Sequence, residues 1–173
     1  MLARDPLAHP EPLIRRVYAY VAYRIGDGPE AEDITSETFE RALRYRGSYD
    51  AAKGEPAAWL IGIAHRLITG RRRPPSDPTP DPPAVAASGN VEDDTLQRLS
   101  LRAAVMRLDD RDRELIALRY GADLSARRIG ELLGLRTNAV EVALHRALAR
   151  LRAEVEGDAG EAAEDPGPSA VRI

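Results

Sequence analysis

The sequence predicts an all-α protein built from two small helical lobes. Three observations carry this. Apolar residues recur at helical spacing through both halves of the 173-residue chain. Aromatic residues make up only 5%, and few stretches alternate apolar with polar residues, which argues against a sandwich or barrel. A run of prolines, Pro74 to Pro83, divides the chain, because proline removes backbone donors and restricts the residue before it.

The first lobe reads as helices from about residue 13. Leu13, Val17, Val21 and Ile25 recur every four residues, with Ile14 and Tyr18 beside them, as on one helix face. Asp27-Gly28-Pro29-Glu30 resembles a helix start, with Asp27 as the capping acid. Ile34, Thr38, Phe39, Ala42 and Leu43 form the next inward stripe, and Glu30, Glu32, Asp33, Glu37 and Glu40 cluster on the same helix. A polar loop runs from Arg44 to Glu55. Pro56 opens a third helix with Trp59, Leu60, Ile63, Ala64, Leu67 and Ile68 inward, His65, Arg66 and Thr69 outward, and Arg71-Arg72-Arg73 at its end.

In the second lobe Leu101, Val105 and Leu108 end one helix. Asp109 caps the next, whose first turn holds Asp110 and Asp112, acids suited to the positive end of the helix dipole; Leu115, Ile116 and Leu118 lie inside. Ser125 caps a short helix with Ile129, Leu132 and Leu133 inward, and Gly134 stops it. Thr137 is expected to cap the last helix, with Val140, Leu144, Ala147, Leu148 and Leu151 inward. A short helix, a Gly-containing turn and a longer helix make a helix-turn-helix, whose second helix can read bases in a major groove. Four segments follow: a lobe at 1–73, an acidic Pro-rich linker at 74–94 able to extend about 60 Å, a lobe at 95–156, and a disordered acidic tail at 157–173.

Composition excludes several function classes. The chain has no cysteine, so it has no disulfide, thiolate zinc site, iron–sulfur cluster or cysteine nucleophile. His65 and His145 are far apart in sequence and lack a partner at ligand spacing, so no metal and no cofactor are expected. No Gly-rich phosphate loop, Ser/His/Asp order or catalytic carboxylate pair stands out, so no catalytic residues are assigned. The first residues lack the apolar region of a signal peptide, and the longest apolar run, Trp59 to Ala64, is far too short to span a bilayer. A cytoplasmic setting without membrane insertion is expected. The net charge of −3 divides unevenly: residues 1–73 carry +2, 74–94 carry −5, 95–156 carry +3 and 157–173 carry −3. Basic blocks suit phosphates, which acidic segments avoid.

The motifs resemble a family. Ala31-Glu32-Asp33-Ile34-Thr35-Ser36-Glu37-Thr38-Phe39-Glu40-Arg41-Ala42 is similar to the polymerase-binding helix of extracytoplasmic-function (ECF) sigma factors, and Ala58-Trp59-Leu60-Ile61-Gly62-Ile63-Ala64 to their promoter-melting helix. Leu108 to Glu114, Leu118-Arg119-Tyr120, Leu124-Ser125, Ile129 to Gly134 and Leu144-His145-Arg146-Ala147 resemble their C-terminal domain, in the family's order and spacing. The resemblance implies a promoter-specificity subunit with no active site. It implies core RNA polymerase binding through Asp33, Ser36, Glu37, Phe39 and Glu40, which dock on the clamp coiled coil of the large catalytic subunit. It implies that the first lobe opens the minus-ten element and that the linker threads toward the polymerase active centre. The second lobe then reads the minus-thirty-five element as duplex. An anti-sigma factor is a further implied partner, and the free protein is expected to be monomeric.

Residue chemistry is compatible with those roles. Capturing an unpaired strand needs cations and a pocket or stacking faces, which Arg44, Tyr45, Arg46, Tyr49 and Lys53 supply on the loop, with Arg66, Arg71, Arg72 and Arg73 on the helix. Candidates for duplex reading are Arg136, Thr137, Asn138, Glu141, Val142, His145 and Arg146. The chain departs from the family pattern at several positions. Ser36 stands for the usual Gln, Arg66 for Asn, Gly70 for Asp, Glu141-Val142-Ala143 for Lys-Ser-Arg, and Arg127-Arg128 for Glu-Glu. An acid facing a groove repels phosphate but accepts from cytosine, and Arg127 or Arg128 is a candidate to take over phosphate contact. The alternative from another class is a helix-turn-helix regulator that binds DNA without engaging polymerase.

Overall fold

Three helices of the first lobe begin on proline, which is preorganised for the first turn and lacks the N–H that would go unsatisfied there. In the computed structural model, which describes residues 5–71 and 92–163, with side chains at 5–71 and 98–157, these are α1 (Pro10–Ile25), α2 (Pro29–Arg44) and α3 (Pro56–Arg71). A 3₁₀ turn at Arg46–Ser48 lies between α2 and α3. The second lobe comprises α4 (Glu92–Arg107), α5 (Asp110–Ile116), a π turn at Ala117–Gly121, α6 (Ala126–Leu133) and α7 (Thr137–Ala163). No strand occurs among the described residues.

Local chemistry sets the boundaries. Asp109 accepts from the Asp112 N–H at 2.8 Å and Ser125 from the Arg128 N–H at 3.3 Å, so both expected caps form. Gly134 adopts φ 68°, ψ 31°, the left-handed conformation that costs glycine nothing, and the Leu135 N–H closes back on the Gly130 carbonyl at 2.9 Å. Two expected caps differ. Gly28, not Asp27, precedes α2, because the Asp27 carboxylate is taken by the Tyr18 hydroxyl and the Arg102 guanidinium. Thr137 is the first residue of α7 rather than its cap.

Most of the inward stripes pack as expected: Val17, Val21, Ile34, Ala42, Leu60, Leu67, Leu115, Leu118, Ile129 and Val140 are buried. Ile14 (43% exposed), Leu43 (57%) and Leu101 (38%) are not, because each sits at the margin of its helix's apolar arc. Helical structure also spreads past the expected limits. α4 begins at Glu92, inside the expected linker, and α7 runs to Ala163, inside the expected tail. The polar 157–163 segment prolongs a helix already nucleated by packing. Residues 74–91 of the linker and 164–173 of the tail lie outside the described residues.

The largest difference from the sequence reading is that the lobes are not merely tethered. Val17, Tyr20, Leu60, Ile61 and Leu67 of the first lobe form one continuous buried cluster with Leu115, Leu118, Leu124, Ile129 and Leu144 of the second. α3 is accordingly buried nearly all round: Ala57, Leu60, Ile61, Gly62, Ile63, Ala64, Leu67 and Ile68 are all inside. His65, expected to point outward, is drawn into this seam, with its side chain 18% exposed.

Candidate polymerase and nucleic-acid interfaces

The acidic helix α2 buries Ala31, Ile34, Thr35, Thr38 and Ala42. Helical periodicity therefore turns Asp33, Ser36 and Glu40 to solvent on the opposite face, where all three are exposed. The Thr35 and Thr38 hydroxyls donate to the carbonyls four residues back, at 2.7 Å each, which lets polar side chains sit inside without a lost hydrogen bond. Glu37 shares this face but is engaged, accepting from Arg41 at 2.7 Å and from Arg71 at 2.5 Å. Phe39 is half-buried and packs on the core. The structure thus gathers four of the five expected polymerase contacts on one surface and turns Phe39 inward as a support.

The end of α2 and the loop after it carry the expected strand-capture residues Arg44, Tyr45, Arg46, Tyr49 and Lys53. Arg44, Tyr45, Arg46 and Lys53 are exposed, and the guanidinium groups of Arg44, Arg46 and Arg66 make no hydrogen bond or ion pair among the described residues. Lys53 lies 3.8 Å from Asp50. The Tyr49 hydroxyl donates to the Gly54 carbonyl at 2.9 Å, and its ring lies against Trp59 at 5.4 Å between centroids. Burial, then the neighbouring Glu55 and Asp50, raise the Tyr49 hydroxyl above its ordinary pKa. Arg71 is held by Glu37, and Arg72 and Arg73 lie outside the described residues. Arg41, Tyr45, Ser48, Trp59, Ile63 and Arg66 line a cavity of ≈ 220 Å³. Sequence reasoning missed Arg41, Ser48 and Trp59 as site residues. A stripe assigned wholly to the core hid the exposed edge of the Trp59 ring.

On α7 the inward register Val140, Leu144 and Ala147 leaves Arg136, Thr137, Asn138, Glu141, Val142, His145 and Arg146 exposed together. Arg136, Asn138, Glu141, His145 and Arg146 have no side-chain partner among the described residues. Glu141 and His145 also line a shallow depression of ≈ 380 Å³ with Arg119, Ser125 and Leu148. Arg127 and Arg128 both reach Glu131, at 3.0 and 2.6 Å, and hold its carboxyl below the usual range, Arg127 foremost. Arg128 also crosses to the first lobe, where its Nη1 donates to the Lys53 carbonyl at 2.8 Å.

Between these surfaces runs a polar seam that the sequence reading did not contain. Arg16 donates to the carbonyls of Ala122 (3.0 Å) and Asp123 (3.2 Å) and pairs with Glu55 at 3.1 Å. Arg24, only 3% exposed, pairs with Asp110 at 3.2 Å and approaches Glu114 at 3.7 Å. His65 Nδ1 lies 2.9 Å from Glu114 and 3.3 Å from the Tyr20 hydroxyl. Burial, and then the Glu114 charge, push the Tyr20 hydroxyl well above its ordinary pKa. Among the described residues no group of acids and histidines is arranged to hold a metal, and no helix is long and apolar enough to cross a membrane.

Comparison with known proteins accounts for both lobes. Residues 11–73 match Sigma-70 region 2, and residues 98–151 match Sigma-70, region 4. The chain is 33% identical over 151 residues to the ECF RNA polymerase sigma factor BldN of Streptomyces coelicolor, an alignment covering 83% of this chain and 57% of BldN. It is 30% identical over 146 residues to the ECF RNA polymerase sigma factor SigK of Mycobacterium ulcerans, covering 79% of this chain and 78% of SigK. The fold is similar to that of the sigma factor RpoE from Bartonella quintana, solved in complex with the anti-sigma factor NepR. That match has a TM-score of 0.64 at 17% identity, over 84% of this chain and 92% of that one. With both sigma regions present in order and relatives matched over most of its length, the chain belongs to the ECF group of RNA polymerase sigma factors.

Proposed function

We propose that this sigma factor divides promoter recognition among three surfaces. The exposed face of α2, with Asp33, Ser36, Glu37 and Glu40, docks on core RNA polymerase, and Phe39 braces it from within. The loop after α2 and the cavity beside it take the minus-ten strand. Arg44, Arg46, Lys53, Arg66, Arg71 and Arg72 hold the backbone, and the edges of Tyr45 and Trp59 receive an unstacked base. Tyr49 fixes the loop's shape. The exposed face of α7, with Arg136, Thr137, Asn138, Glu141, Val142, His145 and Arg146, reads the minus-thirty-five duplex, and Arg127 contributes charge from α6. The protein acts as an initiation factor in the cytoplasm, without chemistry of its own. Because RpoE was solved with an anti-sigma factor, we assign this chain a partner of the same kind, and a monomeric state without it.

The observation that carries this reading is the acidic face of α2, set apart from the basic and polar face of α7 on the other lobe. Asp33→Arg with Glu40→Arg reverses the charge of that face and leaves the Glu37 ion pairs to Arg41 and Arg71 in place. Co-elution with the host's core polymerase is expected to disappear, with circular dichroism unchanged and any direct duplex binding retained. Undiminished co-elution would instead favour a helix-turn-helix regulator that does not use polymerase.

A further inference from the structure

Among the cations placed at the minus-ten strand, Arg66 holds a distinct position. It lines the ≈ 220 Å³ cavity with Arg41, Tyr45, Ser48, Trp59 and Ile63, whereas Arg44, Arg46 and Lys53 do not. The Arg66 guanidinium makes no hydrogen bond or ion pair among the described residues. Arg41, by contrast, already donates to Glu37 at 2.7 Å. The Ser48 hydroxyl donates to the Tyr45 carbonyl at 2.7 Å, so its proton is spent within the loop. No carboxylate is among the lining residues. The strong polar groups of the cavity are therefore cationic N–H donors, set beside the aromatic and aliphatic walls of Tyr45, Trp59 and Ile63.

We propose that this cavity admits one unpaired base of the minus-ten strand as guanine, and that Arg66 reads it there as well as lending charge. The inference rests on the sigma-factor reading above and names the base that its strand site selects. Phosphate contacts position a strand, and only base contacts specify its sequence. A guanidinium presents parallel N–H donors, so it pairs best with two acceptors side by side. Guanine sets O6 beside N7, and its own donors lie on the Watson–Crick edge, turned away from N7. Adenine sets an amino group beside N7, so a second donor faces the fork. Thymine offers O4 beside a methyl group. Unpaired cytosine sets N3 beside O2, but its amino group adjoins N3 and finds no carboxylate among the lining residues. A purine also covers more of an aromatic wall than a pyrimidine does, which favours it in stacking.

The chain's own departure from the family pattern bears on the same point, since Arg66 stands where asparagine is usual. Asparagine pairs with adenine through N6 and N7, and arginine with guanine through O6 and N7. The exchange therefore alters the base preferred at one position of the element rather than raising affinity for every sequence. The Tyr49 ring, 5.4 Å from Trp59, steadies the indole against which the base stacks.

The test uses holoenzyme assembled from the full chain and the host's core polymerase. The probe is a pool of single-stranded DNA randomised across a short window, and sequencing of the bound fraction reads the preference. Wild type is expected to enrich guanine at one position by about tenfold or more over the next base. Arg66→Asn should move that position to adenine. Arg66→Lys, which keeps the charge and loses the fork, should flatten the preference there while the pool as a whole still binds. Arg44→Ala serves as a backbone control: it should weaken all sequences alike, lower the salt slope by about one and leave guanine preferred. Arg66 is exposed and without a partner among the described residues, so the fold does not depend on it, and circular dichroism checks this. Enrichment of no guanine by wild type, or an Arg66→Asn profile identical to that of wild type, would overturn the assignment. So would a uniform loss of affinity in Arg66→Asn with guanine retained, the mark of a phosphate contact. Failure of the wild-type chain to assemble with core polymerase would instead remove the sigma-factor reading on which the assignment rests.

Discussion

The seam between the lobes and the outer face of α7 are both rich in charge, but they handle it differently. In the seam nearly every cation is matched: Arg16 to Glu55 and two carbonyls, Arg24 to Asp110 and Glu114, Arg102 to Asp27, and Arg128 to Glu131 and the Lys53 carbonyl. On the outer face of α7, Arg136, Glu141, His145 and Arg146 have no partner among the described residues. A buried charge must be matched or it costs several kcal/mol, whereas an exposed one is hydrated at no expense and stays available to a ligand. Of these two regions, the one with matched charge is where the protein packs on itself, and the one with unmatched charge is the face proposed to read DNA.

Removing one charge from each region tests that contrast. Arg24→Ala removes the buried cation that faces both Asp110 and Glu114, so unfolding stability is expected to drop by about 3 kcal/mol, the low end for a broken buried pair because Asp110 is half-exposed and His65 still lies against Glu114. Arg136→Ala is expected to change stability by less than about 0.5 kcal/mol. It should instead weaken promoter binding and lower the salt slope of log affinity by about one. Urea denaturation and a salt titration read the two effects, and equal stability losses would erase the contrast.

A smaller effect is expected at Glu141, which repels phosphate but accepts well from the cytosine amino group. Selection from a randomised upstream element with holoenzyme should show one position that prefers a C·G pair. Glu141→Gln should shift that position toward adenine, a change of about 1–3 kcal/mol in discrimination. An unchanged preference would mean that Glu141 faces the groove without reading it.

The smallest effect is one of pH, in the seam. Burial raises the Tyr20 hydroxyl above its ordinary value of 10.0. The folded state thus keeps a proton that the unfolded chain gives up, and stability is full below pH 10 and falls as pH rises beyond it. Thermal unfolding from pH 8 to 11 should show this loss in wild type and a shallower one in Tyr20→Phe. Parallel curves would show that Tyr20 is not under strain from ionisation.

Much of the candidate site was legible because it lies on helix surfaces. Once Ile34, Thr38 and Ala42 are inward, the 3.6-residue repeat places Asp33, Ser36 and Glu40 outward, whatever else the chain does. The same holds on α7 for Asn138, Glu141 and His145. Tyr49 and Phe39 were less legible, because an aromatic residue beside a charged one serves equally as anchor or as contact. Only the folded chain shows the Tyr49 hydroxyl bonded to the Gly54 carbonyl and its ring packed on Trp59. His65 was read as outward, and Arg24 was not singled out, because charge reads as exposure in a sequence, while burial opposite Asp110 and Glu114 depends on residues some fifty to ninety positions away.

By itself the sequence determined the helices, their caps at Asp109 and Ser125, the left-handed stop at Gly134 and the two sigma regions, because each depends on residues within a turn or two of one another. Tertiary structure alone decided that the lobes close on each other. That outcome turns on Gly121 meeting the backbone of α1, and on α3 burying both of its faces at once. Helical periodicity reports which side of a helix is apolar, but shape complementarity between distant segments leaves no periodic trace in a single chain.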